Sequence, residues 1–158
     1  MSQSSFTTPI STRTFEDYVA GSVHRFGPIA VDQDEIIQFA KRYDPQAMHT
    51  DSEAAKQTMY GGLIASGWHT AGLMMNLYAT HYLPTVASLG SPGLDELRWL
   101  KPVRPGDQLW IRVTVMEATP SRSKPDRGIV KSFIEVLNQA DEVVLSMKAV
   151  NLIARRTA

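Results

Sequence analysis

The amino-acid sequence predicts an α+β domain in which an antiparallel β-sheet wraps around one long central helix. The first indication is an uncharged segment, because no Lys, Arg, Asp or Glu occurs between Met59 and Asp95. The second is a change of period in the C-terminal half, where apolar and polar residues alternate as in half-buried strands. Early helices, one long helix and a later meander of strands together indicate the α+β class.

The length and composition of the chain favour one domain. With 158 residues, 43% of them hydrophobic, we expect a single domain over 1–158, with a loose N-terminal arm over 1–14. Sixteen Lys and Arg residues balance sixteen Asp and Glu residues, so no net field attracts nucleic acid or an anionic membrane surface. The chain has no cysteine, which excludes disulfides and thiolate chemistry. The N-terminus lacks a secretory pattern, and we expect a cytoplasmic protein.

The first helix is predicted to begin at Asp32 and to end at Tyr43. Asp32 is a candidate N-cap with a glutamate three residues on, and the apolar residues that follow have helical spacing. Pro45 disfavours the helical conformation at Asp44. Asp44 is therefore expected just beyond the helix end.

A second short helix is expected over 50–59. Thr50 or Ser52 is the candidate cap, and the pair Gly61-Gly62 is the candidate terminator. Such a glycine pair permits a sharp turn of the backbone.

The uncharged segment predicts a long buried helix over 64–82, which Pro84 ends. The stretch 63–83 is long enough to cross a membrane, but its polar side chains would cost roughly a few kcal/mol each in lipid. A helix buried inside protein is therefore the favoured interpretation. Trp68, Met74 and Met75 on this helix are expected in the core. Together with Tyr78 they would set the depth of an adjacent pocket.

The strands of the predicted sheet follow from two-residue alternation and from the turns between the alternating segments. The turn residues are Pro, Gly, Asn and Asp, which favour the backbone conformations that reverse a chain. The predicted strands cover 18–26, 93–100, 109–116, 128–138 and 142–153.

No metal or nucleotide motif occurs in the sequence. The four histidines, which are His24, His49, His69 and His81, include no pair at the helical spacing of zinc ligands. The chain also lacks a G-x-S-x-G elbow, a P-loop and a G-x-G-x-x-G fingerprint. We therefore expect no metal site and no bound nucleotide cofactor.

A carboxylate and an imidazole lie close together in the sequence, before the long helix. Asp44 and His49 are five residues apart in a proline-containing loop, and two such groups can share one water as an acid/base pair. The helix entry at Gly67 offers unpaired backbone N–H groups to a developing oxyanion. Taken singly, Asp44 also fits a turn or cap residue, and His49 fits a surface or hydrogen-bonded loop histidine.

These residues resemble the MaoC-like dehydratase family, which includes the (R)-specific enoyl-CoA hydratases. The family pattern has an Asp, then Asn-Pro, a His five residues after the Asp, an acidic residue two further on, and a glycine-rich turn into Ile-Ala-His-Gly. Asp44, His49 and Asp51 keep this spacing, and Ile64-Ala65-Ser66-Gly67 matches the helix entry. The stretch from Arg98 to Asp107 resembles the family's strand and turn.

The resemblance implies a hot-dog fold, in which an antiparallel sheet wraps a long helix, and a homodimer or a larger homo-oligomer built from dimers. It implies a role in fatty acid metabolism and an acyl-CoA substrate, with no cofactor besides the coenzyme A of that substrate. Asp44 and His49 would hold the water that adds to the double bond, and either could be the base. Gly67 would bind the thioester oxygen, with Ser66 and Gln46 as further oxyanion or substrate-binding groups.

The sequence departs from the family pattern at three positions. Gln46 stands where the Asn falls, and Ser66 replaces the His of the helix entry. Ala47-Met48 takes the place of the Asn-Pro at the nearby positions, with Pro45 displaced. The leading hypothesis is an enoyl-thioester hydratase or acyl dehydratase. A hot-dog thioesterase, in which a carboxylate directs water to the carbonyl, is the second. A non-catalytic acyl-binding subunit is the third, and the three departures motivate it.

Overall fold

The structure, a computed structural model, describes residues 6–157 of the chain. This part of the chain forms a five-stranded sheet, one long α-helix, three shorter α-helices and a 3-10 helix over Phe15–Asp17. The strands are β1 (Val23–Ala30), β2 (Gly93–Trp99), β3 (Gln108–Pro120), β4 (Arg127–Leu137) and β5 (Val143–Ala154). The helices are α1 (Gln33–Tyr43), α2 (Ala47–Thr50), α3 (Ser52–Ala55) and α4 (Gly67–His81).

The sheet has the strand order β1-β3-β4-β5-β2, and every neighbouring pair is antiparallel. Alternate residues of β3, β4 and β5 are buried, as the two-residue period predicts. The buried side of α4 packs into the same core, and the Tyr78 hydroxyl donates to Asn151 Oδ1 on β5 at 2.6 Å. The predicted α+β class, with an antiparallel sheet around a long helix, is confirmed.

The helix α1 forms where the sequence predicts it. The Asp32 side chain accepts a hydrogen bond from the Glu35 backbone amide at 2.9 Å, which caps the helix. Ile36 and Ala40 lie on the buried side of α1 and are fully buried. Asp44 follows as the C-cap, and its backbone amide donates to the Ala40 carbonyl.

A short helix lies within the predicted range 50–59, but it covers only Ser52–Ala55, and its cap is neither of the predicted residues. Asp51 has an extended backbone with φ −137°, and it separates α2 from α3. Its carboxylate accepts from the amides of Glu53 and Ala54, so Asp51 is the N-cap of α3. Neither Thr50 nor Ser52 has that role.

The helix α4 begins at Gly67, three residues later than the sequence predicts. The backbone amides of Ile64 and Ala65 donate to the carbonyls of Met48 and Val103, which ties the segment before the helix to α2 and to the loop before β3. Ser66 is the N-cap. Within residues 6–157, no helix combines the length and the apolar character that crossing a membrane requires.

The loose arm predicted over 1–14 is wrong for residues 6–14, and residues 1–5 lie outside the described residues. Phe6 stacks on His24 with ring centroids 4.0 Å apart, and Arg13 is only 7% exposed. The Arg13 guanidinium donates to the carbonyls of Thr8, His81 and Tyr82. It therefore binds the C-terminal end of α4, where a cation complements the helix dipole. The bounds predicted for the first strand, 18–26, are also wrong, because β1 covers 23–30.

We predict that Arg13→Ala lowers the free energy of unfolding by about 2 to 4 kcal/mol, because it leaves buried carbonyls without a donor. Urea unfolding at neutral pH measures the change. Thr12→Ala at the neighbouring exposed position is the control and should stay within about 0.5 kcal/mol of the parent. Equal stability of Arg13→Ala and the parent would mean that residues 6–14 are not held against the domain.

Candidate active site

The Asp44 carboxylate is held by two side-chain donors at the end of α1. The Ser66 hydroxyl donates to Asp44 Oδ2 at 2.6 Å, and the Gln46 amide donates to Oδ1 at 2.7 Å. Pro45 ends the helix before this point, and the backbone of Asp44 leaves the helical region with φ −154° and ψ 68°. The loop can therefore turn the carboxylate toward the start of α4.

The two donors favour the ionised form of Asp44. The Ser66 hydroxyl has the largest effect, and with the Gln46 amide and the nearby His49 it holds the pKa of the Asp44 carboxyl below its usual range. Partial burial opposes this shift but does not outweigh it. Asp44 is thus a carboxylate at neutral pH.

The hydrogen bond of His49 to the backbone fixes the tautomer of its ring. His49 is only 4% exposed, and its Nδ1 lies 2.8 Å from the Ile64 carbonyl oxygen. A carbonyl oxygen only accepts, so Nδ1 carries a proton and donates it. The other nitrogen, Nε2, faces Asp44 Oδ2 at 3.4 Å. In the neutral ring, Nε2 therefore offers a lone pair on the side of the carboxylate.

The start of α4 contributes the Ser66 side chain and the Gly67 amide to the site. Ser66 Oγ accepts from the Trp68 amide at 3.3 Å while its hydroxyl proton goes to Asp44, so one side chain serves the helix and the carboxylate. The amide of Gly67 is the first of the helix, a position that has no acceptor within the helix. Partial positive charge at this helix end favours an oxyanion.

Trp99 covers the other side of Gly67. Its Nε1 donates to the Gly67 carbonyl at 2.8 Å, and a Cβ atom added to Gly67 would lie 2.5 Å from the Trp99 ring. Only glycine permits this close approach. The Trp68 and Trp99 rings meet edge to face, with centroids 5.1 Å apart, and both are about half exposed.

Asp44, His49 and Gly67 line one cavity of about 410 Å³. The rest of its wall is mainly apolar, which suits a ligand with a carbon chain and a few polar groups. The apolar and aromatic lining residues include Met48, Tyr60, Trp68, Trp99, Leu100 and Val103. No group of three His, Asp or Glu side chains in residues 6–157 is arranged to hold a metal ion.

A family profile described as "MaoC like domain" matches residues 15–137, which is most of the chain. The chain belongs to the MaoC-like dehydratase family. A crystal structure of the MaoC-like dehydratase from Rhodospirillum rubrum has 41% identity and a TM-score of 0.85, covering 92% of this chain and 99% of that one. The uncharacterized protein YdeM of Bacillus subtilis is 29% identical over 140 residues, which cover 89% of this chain and 98% of YdeM.

Two further structures show the likeness of the fold. The R-hydratase PhaJ1 from Pseudomonas aeruginosa has a TM-score of 0.74 at 24% identity, with 91% of this chain and 86% of that chain covered. A Mycobacterium tuberculosis protein described as a double hot-dog has a TM-score of 0.78 at 15% identity, with 94% and 46% covered. This member of the MaoC-like family therefore has the hot-dog fold.

The structure brings the five residues of the predicted site together. Asp44, Gln46, His49 and Gly67 line the same cavity. Ser66 and Gln46, which were expected at the oxyanion or the substrate, both donate to the Asp44 carboxylate. They act on the carboxylate because the loop after α1 places it between them.

The predicted core and pocket roles of four residues on the long helix are partly wrong. Met74 and Tyr78 are buried in the core and do not line the cavity. Trp68 lines the cavity but is 58% exposed, and Met75 is 44% exposed on the outer side of α4. The late start of the helix at Gly67 explains the position of Trp68, which stands in the first turn beside the cavity mouth.

Two contributions to the site have no signal in the sequence around them. Trp99 lies in the family-like stretch 98–107, but no residue near it in the chain indicates that its ring packs on Gly67. The Ile64 carbonyl, which orients His49, belongs to the backbone and therefore leaves no signal in residue type.

We predict that Ser66→Ala raises the pKa of Asp44 toward the ordinary carboxyl range. In the parent, the lowered pKa of Asp44 stabilises the fold at pH values above about 4, which is the pKa of an aspartate in the unfolded chain. This stabilisation is lost as the pH falls through the pKa of Asp44 in the folded protein. The variant should be about 1 to 2 kcal/mol less stable at pH 7, with part of the gap closing in acid. A carbon-13 NMR titration measures the pKa of Asp44. Urea unfolding at pH 7 and in acid measures the difference in stability, and Ser52→Ala is the control. An unchanged Asp44 titration would contradict the contact.

Proposed function

We propose that this protein catalyses the reversible addition of water to a trans-2-enoyl-CoA, which gives a 3-hydroxyacyl-CoA. The observation that carries the proposal is the approach of Asp44 and His49 to 3.4 Å beside the first amide of α4, in one cavity. Membership of the MaoC-like dehydratase family supports it. A structural neighbour described as an R-hydratase has the same fold.

The first step of the proposal is polarisation of the thioester. The Gly67 amide donates to the thioester carbonyl oxygen, which gains negative charge when water adds to the β-carbon. The dipole of the 15-residue helix α4 points its positive end at the same oxygen. The apolar cavity wall excludes bulk water and so strengthens both effects.

The second step is transfer of the proton. Because Nδ1 of His49 is held by the Ile64 carbonyl, only Nε2 is able to exchange a proton with substrate. Asp44 stays ionised, accepts a hydrogen bond from the water and stabilises the protonated ring. His49 Nε2 takes a proton from the water as its oxygen bonds to the β-carbon, and then returns this proton to the α-carbon. One carrier on one side of the double bond implies syn addition.

We predict that Asp44→Asn and His49→Gln each lower kcat/KM by about 100-fold or more, because each removes part of one proton-transfer unit. The assay follows the loss of the absorbance of the conjugated enoyl thioester with short and medium acyl chains. Circular dichroism confirms that the variants are folded. Asp34→Asn and His81→Gln, exposed residues outside the cavity, are matched controls and should keep the parental rate.

Assays of thiol release and of binding, on the same protein, distinguish the alternative functions. Release of free thiol from a saturated acyl-CoA, without loss of enoyl absorbance, would mean a thioesterase. Binding of enoyl-CoA without turnover of any tested chain length would mean a non-catalytic acyl-binding subunit. Either result, or full hydratase activity in folded Asp44→Asn, would overturn the hydratase proposal.

We also propose that the protein works as a homodimer in the cytoplasm. The strand β2 is an edge strand, and most of its residues are exposed. An open edge with apolar side chains favours pairing with another chain. The exposed apolar side chains on β2 and α4 are Leu94, Trp99, Trp68 and Met75. Pairing of β2 with β2 of a second copy would cover this edge and give a two-fold symmetric contact.

We predict that Leu94→Glu converts the dimer to a monomer, because it places a charge on each side of the proposed contact. Light scattering coupled to size exclusion measures the mass, which should be that of two chains for the parent and one for the variant. Val19→Glu is the control, since Val19 is similarly exposed, at 62%, and precedes the opposite edge strand. A parent with the mass of a single chain would refute the dimer.

A further inference from the structure

A second polar contact joins the two helices that meet at the site. His69 in the first turn of α4 has its Nε2 2.8 Å from Glu35 Oε1 in the first turn of α1. A carboxylate only accepts, so His69 Nε2 carries the proton and donates it. The His69 ring also stacks on Phe39, with ring centroids 4.9 Å apart and planes at 16°. Neither His69 nor Glu35 lines the cavity.

The burial of His69 makes this contact informative. Its side chain is 5% exposed, and Nδ1 is a buried atom with no hydrogen-bond partner among residues 6–157. A buried polar atom without a partner is unfavourable, and an apolar ring would fill the same space without that cost. The one polar contact that the imidazole makes is the bond to Glu35. The imidazole therefore does something here that packing alone does not require.

We propose that Glu35 and His69 are positioning residues, which fix the orientation of α1 and so hold the Asp44 carboxylate at the Ser66 hydroxyl. This inference rests on the proposed function, because it assigns the two residues to the geometry of the same acid/base pair.

The geometry of the two helices supports this role. α1 has 11 residues and behaves as a rod of about 16 Å. Ile36 and Ala40 are buried along its middle, and the Asp44–Ser66 contact holds its C-terminal end. The Glu35 contact lies nine residues before Asp44, about 13 Å along the axis, and ties the N-terminal end of the rod to the start of α4 as well.

The residues of α1 between the two contacts lie on one face of the helix. On α1, Glu35, Phe39 and Tyr43 follow one another at four-residue spacing, so they share one face. The Phe39 and Tyr43 rings touch, with centroids 5.0 Å apart, and Asp44 comes next in the chain. On α4, Ser66 and His69 are three residues apart and lie on neighbouring positions of the first turn. The face of α1 that leads to Asp44 therefore meets the helix start that receives it.

The experiment compares Glu35→Ala and Glu35→Gln with Asp34→Ala. Asp34 is an exposed acidic residue in the same first turn, so its removal changes the charge of the turn without touching His69. Glu35→Gln removes the charge but keeps an oxygen that can accept from Nε2. His69→Phe keeps the stacked ring and loses the donor. Glu35 is more than half exposed, so its variants should fold even if His69→Phe does not.

The first readout is a carbon-13 NMR titration of Asp44, which needs no substrate. Removing a negative charge alone lowers the pKa of another carboxyl, whereas loss of the Ser66 hydrogen bond raises the pKa of Asp44. The two effects have opposite signs. We expect the pKa of Asp44 to rise in Glu35→Ala and His69→Phe, and to stay at or slightly below the parental value in Glu35→Gln and Asp34→Ala.

The second readout is turnover of the enoyl thioester. We expect Glu35→Ala to lower kcat by about tenfold with KM within about twofold of the parent, because misplacement of Asp44 affects the reaction more than binding. Glu35→Gln should restore most of kcat. If the parent itself shows no turnover, the proposed function fails, while the Asp44 titration still decides the positioning role.

The proposal is overturned if the Asp44 titration in Glu35→Ala coincides with that of the parent, whatever the rate does. It is also overturned if Asp34→Ala raises the pKa of Asp44 as much as Glu35→Ala does, since the rise would then not depend on the contact with His69. A rise confined to the variants that lose the donor or the acceptor supports it.

Discussion

The hydrogen bond between the Ser66 hydroxyl and the Asp44 carboxylate is the contact on which the site depends. It joins the end of α1 to the start of α4, two points that are 22 residues apart in the chain. Ser66 is fully buried, so bulk water does not replace either partner. The same hydroxyl oxygen accepts from the Trp68 amide, which couples the capping of the helix to the ionisation of the carboxylate.

Two of the departures from the family pattern meet at the Asp44 carboxylate. The family pattern has an asparagine and a histidine where this chain has Gln46 and Ser66. The longer Gln46 side chain reaches Asp44 Oδ1 from two residues along the chain, and the short Ser66 hydroxyl reaches Oδ2 directly. Each oxygen of the carboxylate thus has its own neutral donor, and the charge is satisfied without an Arg or Lys beside it.

The neutral character of these donors matters for the proposed chemistry. A cation next to Asp44 would hold the carboxylate, but it would also disfavour a positive charge on His49 3.4 Å away. Because the donors are a hydroxyl and an amide, neither of them offsets the negative charge of the carboxylate that faces the imidazole. The electrostatic field at His49 Nε2 therefore favours the arrival of a proton from water.

Periodicity predicted the sheet and α1 well, because burial on one face leaves a repeating pattern along a strand or helix. Capping of α1 by Asp32 was readable because the donor lies three residues from the acceptor. The burial of Arg13 was not, since its acceptors at His81 and Tyr82 are 68 and 69 residues away. For the same reason the contact of Trp99 with Gly67, 32 residues apart, had no local signature.

The late start of α4 connects an error in the sequence prediction to the chemistry of the site. In a helix that began at Ile64, the carbonyl of Ile64 would accept from the Trp68 amide four residues on. In the structure the Trp68 amide bonds to Ser66 Oγ, and the Ile64 carbonyl is left for His49 Nδ1. An earlier helix start would therefore remove the acceptor that fixes the His49 tautomer and turns Nε2 toward Asp44. The apolar run 63–65 looks helical in sequence, but it lies outside the helix, and the Ile64 carbonyl orients the imidazole.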